Sequence, residues 1–275
     1  MAIKLMYITN NPEVAAIAEK YGVDMVWVDL ETLGKAERQR NMNTIKSNHK
    51  IEDIGVISKL LKKSEMLVRV NPWNPGSEEE IEKVIAAGAE RIMLPMWKTP
   101  EEVNLFLKKV NKRTATTLLL ETKEAVECVD EVLKNPLLDE IHIGLNDLHL
   151  SYKLKFMFEL LVNGCVENLC KKMSAAGVPY GFGGIARLGA GTIPAEMIIT
   201  EHYRLGSTRA ILSRSFCDAD EIKDINQIEN TFRVEMQKLR DFEESLANAP
   251  KELFETNKKA LERAVELAVK GNEIK

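Results

Sequence analysis

Two carboxylates stand directly behind two apolar runs. Thr116-Thr-Leu-Leu-Leu120 leads into Glu121, and Ile141-His-Ile-Gly-Leu-Asn146 leads into Asp147. If these runs are adjacent parallel strands of a barrel, the residues just past them share the barrel mouth, and the two carboxylates face each other there. Two hard oxygen donors, with water and substrate oxygens completing an octahedron, suit Mg²⁺ or Mn²⁺. Each carboxylate alone reads better as a helix N-cap or a loop ion-pair partner, and it is their joint placement that reverses the preference toward a metal. Arg69 lies inside another such run, Met66-Leu-Val-Arg-Val70. A buried guanidinium must meet a carboxylate, Glu31 or Glu121 being the candidates, or a bound anion. A planar donor fork beside a divalent ion fits an α-keto acid, whose keto or enolate oxygen it can hold.

The remaining polar candidates are weaker. His49, in Ser47-Asn-His-Lys-Ile-Glu-Asp53, is a candidate proton carrier because imidazole titrates near neutrality. His142 reads as a packing residue, His149 as an orienting partner of Asp147 or a helix start, and His202 as structural. Gly181-Phe-Gly-Gly184 and Gly189-Ala-Gly191 either offer backbone N–H groups to a phosphate or allow close packing. No lysine falls at a strand end near the proposed centre, which disfavours a Schiff base.

These side chains need a scaffold, and the chain supplies one. Short apolar runs recur at Leu5 to Ile8, Met25 to Leu30, Met66 to Val70, Arg91 to Leu94, Thr116 to Leu120, Glu140 to Ile143, Pro179 to Phe182 and Arg209 to Leu212. Each is followed by a polar loop and a helical pattern, with a repeat of about 25 residues in the middle of the chain. Eight such units predict a TIM (β/α)8 barrel in preference to an open doubly wound sheet. Asn11-Pro12, Ser77-Glu-Glu-Glu80 and Thr99-Pro-Glu-Glu102 mark helix starts. Beyond Phe216 the apolar spacing becomes purely helical, with a break at Asn248-Ala249-Pro250. The division expected is a catalytic barrel over residues 1–217 and C-terminal helices over 218–275, the latter packing on a neighbouring subunit or buttressing their own barrel.

The 275 residues carry 38 basic and 42 acidic side chains, a net charge of −4. That balance gives no electrostatic footprint for nucleic acid or an anionic membrane. The N-terminus lacks a signal pattern and no 18-residue apolar run occurs, so a cytoplasmic protein is expected. Four cysteines without CxxC spacing read as reduced thiols.

The constellation resembles the HpcH/HpaI aldolase and citrate lyase family of the phosphoenolpyruvate/pyruvate barrel superfamily, over roughly Gly22 to Phe216. The motifs that carry the resemblance are Asp24-Met-Val-Trp-Val-Asp-Leu-Glu31, Leu67-Val-Arg-Val70, Ala86-Ala-Gly-Ala-Glu-Arg-Ile-Met-Leu-Pro95, Leu119-Leu-Glu-Thr122 and Asp139-Glu-Ile-His-Ile-Gly-Leu-Asn-Asp-Leu148. The resemblance implies that Glu121 and Asp147 bind the divalent metal and that Arg69 binds the keto acid and its enolate. It places the substrate carboxylate on the backbone around Asn146 and Asp147, with Glu31 also on the substrate side. It makes His49 and Asp53 an acid/base pair by their four-residue spacing, although they follow Glu31 by about 18 residues where the aldolase branch has them beside it. Asp29-Leu-Glu31 matches the citrate lyase branch until Thr32, where that branch has Asp. A C-terminal helix exchanged within a homo-oligomer is also implied. The expected activity is metal-dependent cleavage of a 4-hydroxy-2-keto acid, or a related hydroxy acid, through a pyruvate-like enolate. The alternatives are a CoA-ester lyase of the citrate or malyl-CoA type and a non-catalytic metal or keto-acid binding protein.

Overall fold

A computed structural model describes residues 2–34 and 48–272. Eight parallel strands close into a barrel in sequence order: β1 (Lys4–Ile8), β2 (Met25–Asp29), β3 (Glu65–Arg69), β4 (Arg91–Leu94), β5 (Ala115–Leu120), β6 (Glu140–Ile143), β7 (Tyr180–Ile185) and β8 (Arg209–Leu212). The eight strand positions expected from the sequence all carry strands, and the fold is a TIM (β/α)8 barrel with C-terminal helices. Both faces of each strand are covered, which is why β2 reads as an unbroken buried run instead of an alternating one.

Alternation still decides which side chains point inward. At the N-terminal end of the barrel, Glu140 accepts from Thr117 Oγ1 at 2.7 Å and pairs with Arg209 and with Arg91 at 3.1 Å, while Arg91 also reaches Glu65 at 2.9 Å. Above this charged plug lies an apolar layer of Met6, Met25, Trp27, Leu67, Met93 and Leu119, with Ile211 against it. One strand step higher, the same inward rows reach Asp29, Arg69 and Glu121. The mouth is thus separated from the plug by an apolar middle layer.

The helix starts expected at Asn11 and Thr99 are present, the latter with a full capping box. The helix expected to be capped by Ser77 begins with it, and Gly76 is its N-cap. Among the described residues nine helices, α1 to α9, precede β8, and after it come α10 (Ile225–Ala247) and α11 (Lys251–Asn272), separated at the expected break. Phe232 of α10 packs edge-on to Tyr7 at 5.0 Å, and Glu243 accepts the Ile3 backbone N–H at 2.7 Å, tying α10 to β1 and the residue before it. Asn257 of α11 donates to the Met197 carbonyl at 3.1 Å, and Lys258 pairs with Glu167 at 3.1 Å. Both helices therefore lie on their own barrel in the single chain. No helix among the described residues is long and apolar enough to cross a membrane.

Candidate active site

The strand ends of β2, β3, β5 and β6 meet around one cavity of about 540 Å³, lined by Trp27, Asp29, His49, Arg69, Glu121 and Asp147 among others. Asp29 and Arg69 are direct register partners across β2 and β3. The Arg69 fork takes Asp29 in a bidentate grip, Nε to Oδ1 and Nη2 to Oδ2 both at 2.8 Å. Nη2 also reaches Glu31 Oε2 at 3.3 Å, and the guanidinium lies 4.9 Å over the Trp27 ring. Burial opposes the charge on Arg69, but the carboxylates of Asp29, Glu31 and Glu121 overcome that and hold its pKa above the ordinary arginine value. It stays a fixed cation.

Glu121 follows β5 and is buried, accepting the Met96 backbone N–H at 3.1 Å. Burial first, then the neighbouring Asp147 and Glu31 charges, push its pKa well above the ordinary range, with Arg69 and the Met96 N–H pulling the other way. Asp147 sits in the first turn of the short helix Leu145–Ser151 that follows β6. Asp29, Glu31, Glu121 and Asp147 thus gather around the Arg69 guanidinium.

A divalent cation is the group that such a set fits. Glu121 and Asp147 present two carboxylates, not a closed cage, and among the described residues no cluster of three or more His, Cys, Asp or Glu side chains could hold an ion. Mg²⁺ typically keeps several waters and takes one or two carboxylates plus substrate oxygens, so two protein ligands suffice. The donor set agrees with that requirement.

The other expected residues distribute less simply. The Asp29 backbone N–H donates to His49 Nδ1 at 2.9 Å, so in the neutral ring the proton is on Nε2. His49 lines the cavity, but Asp53 does not. Asp53 Oδ2 instead accepts the Lys50 backbone N–H at 2.8 Å and Asn10 Nδ2 at 3.0 Å, capping the helix Ile51–Ile57. Asn146 lines the cavity beside Asp147. His149 is buried with Nδ1 near the Leu145 carbonyl at 3.3 Å, and His202 stacks on Phe182 at 3.8 Å with Nδ1 bonded to Ser207 Oγ at 2.7 Å. The glycines of β7 serve packing: a Cβ on Gly181 would lie 2.3 Å from the Arg209 carbonyl oxygen, and Gly183 (φ +54°) faces Leu145 at 2.6 Å. Sequence reading did not single out Trp27, which shares the inward row of Asp29 two residues on, or Arg214 and Asp218 on the wall after β8.

The HpcH/HpaI aldolase/citrate lyase family model matches residues 4–161. The chain belongs to that family. HpcH/HpaI membership makes it kin to aldolases and lyases, and the matched span holds the inward rows from β1 to β6, including Arg69, Glu121 and Asp147. No curated protein matches the chain in sequence. Among solved structures, an HpcH/HpaI aldolase from Desulfitobacterium hafniense DCB-2 superposes with a TM-score of 0.60 at 15% identity, covering 90% of this chain and 94% of that one. An HpcH/HpaI aldolase/citrate lyase family protein from Burkholderia cenocepacia J2315 gives 0.61 at 15% identity, covering 88% and 95%. A citrate lyase beta subunit from M. tuberculosis, complexed with oxaloacetate and magnesium, gives 0.58 at 15% identity, covering 84% and 97%. At such identities the likeness concerns the fold.

Proposed function

We propose that this family member is a divalent-metal-dependent carbon–carbon lyase that cleaves a 4-hydroxy-2-keto acid, or a related hydroxy acid, through a pyruvate-like enolate. The observation that carries the reading is the mouth itself: buried Glu121 beside Asp147, with Arg69 locked over Trp27 by Asp29 and Glu31. The magnesium and oxaloacetate in the M. tuberculosis neighbour are consistent with a metal and a keto acid at such a mouth.

Glu121 and Asp147 would hold the ion, with Mg²⁺ or Mn²⁺ suited to their oxygens. When bound there, a divalent ion would supply Lewis acidity toward the keto oxygen and a water acidic enough to serve, once ionised, as the base for the hydroxyl proton. Arg69 donates to the keto oxygen, and the donation strengthens as that oxygen becomes the enolate, because the fork is already oriented. The backbone at Asn146 and Asp147 holds the substrate carboxylate. His49 donates from Nε2 to the oxygen that becomes the aldehyde, since its Nδ1 is occupied by the Asp29 N–H. This is a donor role, and Asp53 supports it only through the helix it caps. The protein acts as a homo-oligomer, for which the apolar Leu253 and Leu267 exposed on α11 provide a contact face.

Aldol cleavage of a panel of 4-hydroxy-2-keto acids with Mg²⁺ or Mn²⁺ tests the reading. Glu121→Ala abolishes metal-dependent cleavage if the assignment holds, and full activity in that variant overturns it. Turnover that saturates with an acyl-CoA and not with free keto acids would select the CoA-ester lyase reading instead.

A further inference from the structure

The cavity floor carries two buried polar atoms that nothing above has used. Trp27 Nε1 and His142 Nδ1 have no hydrogen-bond partner among the described residues. Both side chains line the cavity, and they are 1% and 0% exposed. Trp27 stands two residues before Asp29 on β2, and His142 two before Gly144 on β6, so each lies one inward step below the charged mouth. In a closed ring of eight strands, β2 and β6 are opposite one another.

Their chemistry is complementary and fixed. An indole N–H can only donate. His142 Nε2 lies 3.2 Å from the Gly183 carbonyl oxygen, which can only accept, so Nε2 carries the proton and Nδ1 offers a lone pair. Burial pulls His142 down to about 4, which keeps the ring neutral and Nδ1 an acceptor. A methyl group over this floor would leave both atoms unsatisfied. A carboxylate would accept from Trp27 but repel the His142 lone pair. A hydroxyl can accept from the indole N–H or donate to the imidazole lone pair, and buried polar atoms are ordinarily satisfied in such ways.

We propose that the floor is a subsite for a hydroxyl on the carbon that enolises, so that the preferred substrate is a 3,4-dihydroxy-2-keto acid. The inference rests on the lyase reading above for the orientation of the keto acid. Once the mouth has taken C1 and the C2 oxygen of the keto-acid half, C3 is the carbon left to carry a group to the floor. In cleavage the C3–C4 bond breaks, its electron pair passes to C3 and is held as the enediolate, and the C4 hydroxyl loses its proton as that carbon becomes an aldehyde. Reprotonation at C3 gives hydroxypyruvate where a 3-deoxy substrate would give pyruvate.

The test compares hydroxypyruvate with pyruvate in the presence of Mg²⁺, by dissociation constant in calorimetry and by deuterium uptake at C3 in D₂O, corrected for the uncatalysed rate. The wild type should bind hydroxypyruvate about 10-fold tighter, the worth of one net hydrogen bond. Trp27→Phe, which keeps a ring beneath Arg69, and His142→Leu should each reduce that ratio to near unity. His142→Asn, which retains an acceptor near the Nδ1 position, should preserve part of it and guards against mere misfolding. Equal binding of the two acids by the wild type, or variants that weaken both equally, would overturn the subsite. Deuterium uptake by pyruvate with no preference for hydroxypyruvate sinks the subsite alone. Absence of uptake from either acid sinks the lyase reading, and the binding ratio still decides the subsite.

Discussion

Gly144 and Glu121 are in closer contact than any side chain larger than hydrogen would permit. A Cβ on Gly144 would stand 2.8 Å from Glu121 Oε2 and 3.0 Å from its Cβ. The backbone of Gly144 has φ −82°, which other residues adopt freely, so its lack of a side chain answers to the carboxylate and not to conformational strain.

Gly144→Ala should therefore move Glu121 without disturbing the strand. The expected outcome is a fall of about 10- to 100-fold in metal-dependent turnover with the far-ultraviolet circular dichroism unchanged, since misplacing a catalytic group by about 1 Å costs on that order. Unaltered activity would show that Glu121 need not sit where the structure has it.

Arg69 should not be replaceable by lysine. Arg69→Lys keeps the charge but loses the two-point grip on Asp29 and the donor geometry at the keto oxygen, so kcat/KM should drop by about 10²-fold or more. Arg69→Ala removes the guanidinium that buried Asp29 and Glu31 face, and should cost about 3–5 kcal/mol in urea unfolding as well.

Metal binding should be legible in stability. Mg²⁺ or Mn²⁺ raises Tm in a concentration-dependent way if it binds the folded mouth, and a chelator reverses the rise. Glu121→Gln should abolish that shift. A shift of equal size in the variant would remove Glu121 from the ligand set.

The buried histidines give the fold an acid limit of their own. Burial lowers His142 to about 4, and lowers His202 to about 3 with His142 contributing, both from 6.5. A folded pKa below the unfolded one contributes stability that is present above pH 6.5 and is lost as pH falls toward the folded values. Between pH 7.5 and 5.0 each ring should cost about 2 kcal/mol, measured by urea unfolding. His202→Gln should be less stable at pH 7.5 but flatter over that range, and an unchanged slope would contradict the account.

Much of this could be read from the chain because a parallel barrel converts sequence position into geometry. Apolar runs fixed the strands, and the residue after each run fell at the mouth, so Arg69, Glu121 and Asp147 were brought together as their spacing suggested. Asp53 was less legible, since a four-residue spacing from His49 also describes a helix cap, and the Lys50 N–H took that carboxylate. His49 kept its place at the cavity, but its donor character depends on the Asp29 N–H across 20 residues, which no local pattern encodes. Trp27 and His142 looked like core because they are core on most of their surface. Only inward parity, counted back from Asp29 and Gly144, distinguishes them from neighbours that face the helices. The tail was ambiguous between a buttress and an exchanged helix for a physical reason, since an amphipathic face fits its own barrel and a partner's equally well. A chain ending at Asn248 should lose assembly, seen in sedimentation, before it loses metal-dependent turnover, and a truncation that stays oligomeric and active would count against α11 as the contact face.

The central claim is that this mouth makes and holds an enolate. Proton nuclear magnetic resonance of pyruvate in D₂O with Mg²⁺ or Mn²⁺ measures this without knowledge of the aldehyde. Loss of the methyl signal is expected with the wild-type protein and metal, and none with Glu121→Ala or after chelation. Tight pyruvate binding with no exchange at the methyl would contradict it.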